Sequence, residues 1–352
     1  MIATAPGKLI LTGEYAVLDG APAIVVAVDR RAIARRNAVP RGSSPFLVAV
    51  AEEIAAQRGA ADPAARAALE ISVDSTAFYD PVTARLAATA LARGSITAQR
   101  AAVDPSVRPA DLSGEATKLG LGSSAAVTVA ATALALDTTN RREILAVALA
   151  AHARAQGTRG ARGSGADIAA SVYGGSLIFS RPAGSGPCLI EPRRWPASVK
   201  LLPFFTGESA DTAQLVARVQ AARADHRAAV DAALTAITEA SRAACAALAA
   251  PPDIAAVGLL GGLAIAADAI DRLATAARLD LVPACVTRAR AALARLGGTA
   301  KTTGAGGGDV GIAAIPASAD ETAAVRLIIE AGCRPLRIAL DDTGVDLRPD
   351  AS

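Results

Sequence analysis

The sequence predicts an α+β protein of two domains, and three observations carry that prediction. The chain has 352 residues, more than one ordinary hydrophobic core holds. Strand-like and helix-like segments mix without a regular βαβ alternation, which argues for layered α+β architecture. A stretch at 181–197 containing four prolines and two glycines interrupts them, which divides the chain into 1–185 and 186–352.

Taken in order, residues 2–12 and 22–28 read as strands around a turn at 13–20, 44–58 as a helix and 69–75 as a strand. A turn at 120–122 runs into Ser-Ser-Ala-Ala-Val-Thr-Val-Ala-Ala, a helix opening with serine at its cap. Helices over 141–156 and 166–173, separated by the glycine-rich 157–165, lead to a strand at 176–180. Beyond the boundary, a strand at 199–205 precedes Ala-rich helices over 211–249, 253–277 and 282–296. A glycine run at 304–308, a strand at 310–315, a helix at 319–331 and a strand near 335–340 complete the pattern. No internal repeat is visible.

Composition narrows the function classes. Hydrophobic residues make up 52% and charged residues 20%, the balance of a well-buried globular protein. Aromatics are only 3%, so the core is built from small aliphatic side chains. A net charge of +3 without a dense Lys/Arg stripe argues against a nucleic-acid partner. The four cysteines are widely spread with no CxxC pair, and the two histidines are His152 and His226, so reduced cytoplasmic thiols are expected rather than a metal cluster. The start of the chain lacks a charged and then apolar leader pattern, and the apolar stretch at 254–271 is broken by glycine, Asp268 and Asp271. A soluble cytoplasmic protein without a membrane partner is expected, as a monomer or homodimer.

Four segments carry chemistry. In Gly120-Leu121-Gly122-Ser123-Ser124-Ala125-Ala126, two glycines let backbone approach a bulky anion, and the helix that follows points free N–H groups and its positive dipole end at it. Taken alone, the segment fits a plain helix cap equally well. It lacks the Gly-Lys-Ser/Thr ending of a Walker A loop and the third glycine of a dinucleotide turn. Lys301-Thr302-Thr303-Gly304-Ala305-Gly306-Gly307-Gly308-Asp309 places four glycines within five residues, costly to order unless backbone passes close to something. Pro6-Gly7-Lys8 at the head of a strand can aim a lysine into a cleft, although taken alone it fits an exposed lysine better. Gly163-Ser164-Gly165-Ala166-Asp167 puts a carboxylate in the first turn of a short helix, where it caps the helix or serves an acceptor.

Together and in order, Pro6-Gly7-Lys8, Gly120–Ala126 and Thr303–Asp309 resemble the three motifs of the GHMP kinases, the family of galactokinase, homoserine kinase, mevalonate kinase and phosphomevalonate kinase. The resemblance spans residues 1 to about 340. It implies a two-domain GHMP kinase fold, with an N-terminal domain like ribosomal protein S5 domain 2 and a ferredoxin-like C-terminal domain. ATP and Mg²⁺ are the implied cofactors and a small anionic molecule the implied substrate. Carried over residue by residue, Lys8 and Asp167 are the catalytic pair and Ser124 the metal-side hydroxyl. Lys118, Gly120, Leu121, Gly122, Ser123, Ser124 and Ala125 hold the nucleotide. Tyr15, Arg30, Ser164, Ser209, Lys301, Gly306, Gly307 and Asp309 join Lys8 and Asp167 around the substrate.

Within the family, Gly13-Glu14-Tyr15-Ala16-Val17, Lys118, Asp309 and Thr206–Thr212 are similar to the phosphomevalonate kinase branch. So are His152 and Gln156, the latter standing where mevalonate kinases carry a metal-binding Glu. Phosphorylation of 5-phosphomevalonate is therefore the expected reaction, ahead of an alcohol kinase and of a nucleotide-binding regulator without turnover. The five residues Thr158–Arg162 form an insertion relative to the family pattern.

Overall fold

The computed structural model describes residues 1–36, 44–80, 117–157, 163–182 and 186–350. The Thr158–Arg162 insertion, with Arg159 and Arg162, lies outside the described residues. Strands β1 (Ile2–Ile10) and β2 (Ala23–Arg36) pair antiparallel along the whole of β1, with a bulge between Pro6 and Gly7. Helices α1 (Pro45–Arg58) and α2 (Pro63–Leu69) and strand β3 (Ile71–Asp74) follow. Next come α3 (Ser123–Leu136), α4 (Arg141–Gly157), α5 (Ala166–Tyr173), β4 (Ser176–Ser180) and β5 (Leu189–Arg193).

The second half contains β6 (Val199–Phe205), α6 (Thr212–Asp225), α7 (Arg227–Ala249), α8 (Pro252–Ala277) and α9 (Ala284–Leu293). It ends with β7 (Thr299–Thr302), β8 (Val310–Pro316), α10 (Glu321–Glu330), β9 (Arg334–Pro335) and β10 (Asp346–Arg348).

Two antiparallel sheets result. The first runs β10-β1-β2-β4-β5 with β3 paired to β2, and the second runs β7-β8-β6-β9. The division at 185/186 thus falls between β4 and β5 of one hairpin, and the first sheet also takes back β10 from the far end of the chain. The strand expected near 335–340 is only Arg334–Pro335; Leu340 instead bridges to Val28 in the first sheet. Arg31 anchors this returning segment, donating to Thr4, to the Gly344 carbonyl and to Asp341.

The core follows from composition. Alanine lets α3 bury nearly every face, from Ala125 and Ala126 through Ala135. Gly258 and Gly262 let α8 approach Ala247 and Ala244 of α7 closely. The helix expected over 211–249 breaks at His226, whose φ of −126° and ψ of 45° leave the helical range and separate α6 from α7. Among the described residues, one segment, Ile254–Ala277 of α8, has the length and apolar composition that could cross a membrane, a test the core helix of a folded protein also passes; 44% of its window is buried here against the protein.

Candidate active site

The phosphate-loop segment folds as its glycines require. Gly120 and Gly122 take φ of 69° and 77°, the left-handed region that a Cβ disfavours. A Cβ on Gly122 would also stand 3.0 Å from the Lys8 methylenes, and one on Gly120 would collide with the Asp309 carboxylate. The serine expected at the cap is not the cap: Gly122 is, with no side-chain cap bond, and Ser123 opens α3. The first bond of the helix runs from Ala126 N–H to the Gly122 carbonyl at 3.1 Å. The N–H groups of Ser123, Ser124 and Ala125 therefore have no acceptor in their own helix. This is a seat for an anion. Leu121 is fully buried and acts through its carbonyl, which accepts the Lys8 N–H at 2.9 Å.

That backbone bond ties β1 to the loop and carries the Lys8 side chain with it. Its ammonium donates to the Gly120 carbonyl at 3.3 Å. Burial pushes its pKa below the ordinary lysine value; the charges of Asp167 and Asp309 oppose the shift and that of Lys118 adds to it. Lys118 is exposed on the strand bridge to Tyr79. Asp167 lies in the first turn of α5, where its carboxylate accepts the Ile168 N–H at 2.9 Å. Asp309 has φ of 54°, unusual for a residue with a Cβ, and accepts the Ala210 N–H at 3.2 Å. Burial raises its pKa to about 6, against the pull of that bond and of Lys8 and Lys118.

A cavity of ≈ 140 Å³ joins these groups. Lys8, Tyr15, Ser164, Asp167, Gly306 and Asp309, all expected from the sequence, line it. Tyr15 donates its hydroxyl to the Ala305 carbonyl at 2.5 Å, and burial pushes the phenol pKa upward. The Ser164 hydroxyl accepts the Ala166 N–H at 3.2 Å.

Four expected substrate residues stand elsewhere. Lys301 is 1% exposed and closed into an ion pair with Glu14, also donating to the Thr302 carbonyl at 2.7 Å. Burial raises the Glu14 pKa, and the lysine charge draws it back. Arg30 is spent on the surface, donating to the Arg337 carbonyl at 2.6 Å. Ser209 is exposed on the loop behind Gly308, and Gly307 packs on Leu215. Lys301, Ser209 and Gly307 share a quoted segment with a cavity residue, and strand alternation or a turn points them away; Arg30 lies in no such segment.

Sequence reasoning missed several wall residues: Glu14, Gln156 and Gly163, and across the gap Thr212, Val216 and Thr303. Glu14 and Gln156 lay inside quoted motifs. Thr212 closes the quoted Thr206–Thr212 segment, whereas Val216 carries no local signal, because only the packing of α6 brings it in.

Residues 106–175 match the family described as the GHMP kinases N terminal domain. The chain is 31% identical over 366 residues to phosphomevalonate kinase from Streptomyces sp. (strain CL190), covering 90% of each protein. The chain belongs to the GHMP kinase family. It is a phosphotransferase with the two-domain α+β fold of that family. Among solved structures, this GHMP kinase resembles the Lin0012 protein from Listeria innocua with a TM-score of 0.74 and 21% identity, over 99% of each chain. It also resembles Streptococcus pneumoniae phosphomevalonate kinase in complex with phosphomevalonate and AMPPNP, with a TM-score of 0.68 and 17% identity over 97% and 100% of the two chains.

Proposed function

We propose that the protein transfers the γ-phosphoryl group of ATP to the phosphate of 5-phosphomevalonate, giving ADP and 5-diphosphomevalonate on the mevalonate route to isoprenoids. One observation carries the reading: the Lys8 ammonium stands at the cavity wall against the Gly120 carbonyl, within the fields of Asp167, Asp309 and Lys118. A phosphomonoester with second pKa near 6 is mostly dianionic at neutral pH, so its attacking oxygen needs cations more than a base. Lys8 and Lys118 supply them, and Asp167 orients the acceptor from the α5 side. The identity with the Streptomyces enzyme supports the same acceptor.

Both cofactors fit the residues present. The Gly120–Gly122 backbone and the N–H groups of Ser123, Ser124 and Ala125 suit nucleotide phosphates. The Ser124 hydroxyl and the Asp167 carboxylate are hard oxygen donors of the kind Mg²⁺ takes. Nucleotide phosphates supply further oxygens of the same kind. When bound, MgATP supplies the phosphoryl group and neutralises its charge. The protein's own part is to position both phosphates and exclude water. We read it as a cytoplasmic enzyme, monomer or homodimer, without nucleic-acid or membrane partner.

ADP release with 5-phosphomevalonate, (R)-mevalonate, homoserine and galactose tests this reading. At least a tenfold preference in kcat/KM for 5-phosphomevalonate is expected; an equal preference for mevalonate moves the protein to the alcohol kinases. Lys118→Ala should lower kcat/KM for the phosphorylated acceptor by about ten- to a hundredfold.

A further inference from the structure

One polar contact behind the phosphate loop has no part in the roles given above. His152, on α4, is 3% exposed, and its Nε2 lies 3.2 Å from the Ser124 hydroxyl. Phe46 of α1 stacks on the imidazole, with 5.6 Å between ring centroids and 22° between planes. Packing therefore holds the ring while its polar edge faces Ser124. Thr128 donates to the Ser124 carbonyl at 2.8 Å, leaving the hydroxyl to the histidine.

We propose that His152 is a positioning residue: its Nε2 accepts the Ser124 hydroxyl hydrogen and so turns the oxygen's lone pairs toward the phosphate loop. This rests on the reading of Ser124 as the metal-side hydroxyl. A hydroxyl carries one hydrogen and two lone pairs and rotates freely. As a ligand to a cation it must keep the hydrogen away from the metal, and an acceptor fixed behind it supplies that orientation in advance. The role needs the neutral tautomer with its proton on Nδ1. A ring with its hydrogen on Nε2 would donate to Ser124 instead and occupy the lone pair that the metal requires.

Ser124→Ala, His152→Phe, His152→Gln and the Ser124→Ala/His152→Phe double variant separate the possibilities. Calorimetry reads the affinity of each for a non-hydrolysable ATP analogue with and without Mg²⁺, thermal unfolding checks the fold, and ¹⁵N spectra report the His152 tautomer. Ser124→Ala should remove most of the Mg²⁺-dependent gain in affinity. His152→Phe, which keeps the stack on Phe46, should reduce that gain by about tenfold. His152→Gln, which returns an amide acceptor near the Nε2 position, should restore most of it. The double variant should be no worse than Ser124→Ala alone, because both act through one oxygen. The wild-type spectrum should show a bare Nε2 whose resonance moves on Ser124→Ala.

An unchanged Mg²⁺-dependent gain in His152→Phe, effects that multiply in the double variant, or a protonated Nε2 each overturn the proposal. If His152→Phe does not fold, failure of His152→Gln to keep the gain, or a protonated Nε2, does so. A Ser124→Ala variant with full Mg²⁺ dependence would instead overturn the metal-side reading of Ser124.

Discussion

Lys8 and Lys301 are each attached to a glycine motif, and the fold treats them in opposite ways. Lys8 stands at the cavity wall, its ammonium on a loop carbonyl and its two carboxylate neighbours Asp167 and Asp309 acting through space. Lys301 has its carboxylate in direct contact: Glu14 and the Thr302 carbonyl take its ammonium, and no cavity surface remains to it. A cation that is desolvated but incompletely paired is suited to meet an anionic ligand. A cation already paired in the same environment has nothing left to give and instead ties β7 to the turn after β1. Proximity to a motif therefore does not make a lysine functional; the completeness of its pairing decides.

Neutralising each lysine should break the comparison or secure it. Lys8→Met should lower kcat/KM by about a thousandfold or more while leaving the unfolding midpoint close to wild type, since charge stabilisation in a closed site is a large term. Lys301→Met should do the reverse. Removing one partner of a buried pair leaves Glu14 uncompensated and costs about 3–5 kcal/mol, read by denaturant unfolding. Adding Glu14→Gln should recover much of that stability. If Lys301→Met instead unfolds at the wild-type midpoint and loses acceptor affinity, Lys301 is a ligand residue and the distinction collapses.

The same contrast explains how much was legible beforehand. Motif glycines announce themselves, because left-handed backbone and close approach admit few other residues; the loop at 120–122 was readable for that reason. Lys8 alone was a weak signal, since Pro-Gly-Lys at the head of a strand fits an exposed lysine; it became readable only together with the other two motifs in order. Lys301 was not, because its fate depends on Glu14, 287 residues away along the chain. Ser123 was taken for the cap because serine caps helices often, whereas here glycine does so and leaves the N–H groups open. The helices α3, α4 and α5 and most strands follow from local pattern. The returning β10 does not, since three residues at an edge carry no periodicity.

Asp309 offers a smaller test, because its charge is one of the two carboxylate charges that act on Lys8. Its pKa of about 6 in the fold lies above its ordinary 3.8. The folded state therefore binds the proton more tightly than the unfolded chain. Stability contributed by the protonated form is complete at low pH, declines as pH rises from about 4 to 6, and levels off above. The decline amounts to at most about 3 kcal/mol and is reduced by whatever water reaches the group. Asp309→Asn should flatten this part of the unfolding profile between pH 4 and 7. An identical slope in wild type and variant would assign it to another carboxyl.

The smallest effect is on the alkaline side of the rate profile. Burial holds the Lys8 pKa below the ordinary lysine value of 10.5, so kcat/KM should fall at a lower pH than an exposed lysine would allow. Arginine stays charged throughout that range. Lys8→Arg should therefore lose some activity at neutral pH, because a planar fork fits a point-charge site poorly, but its alkaline limb should disappear. Rates from pH 7 to 10.5 in the wild type and Lys8→Arg, with acceptor saturation checked at each pH, decide the matter. A limb that survives in Lys8→Arg would show that a different group titrates, with Lys118 the next cation beside the loop to substitute.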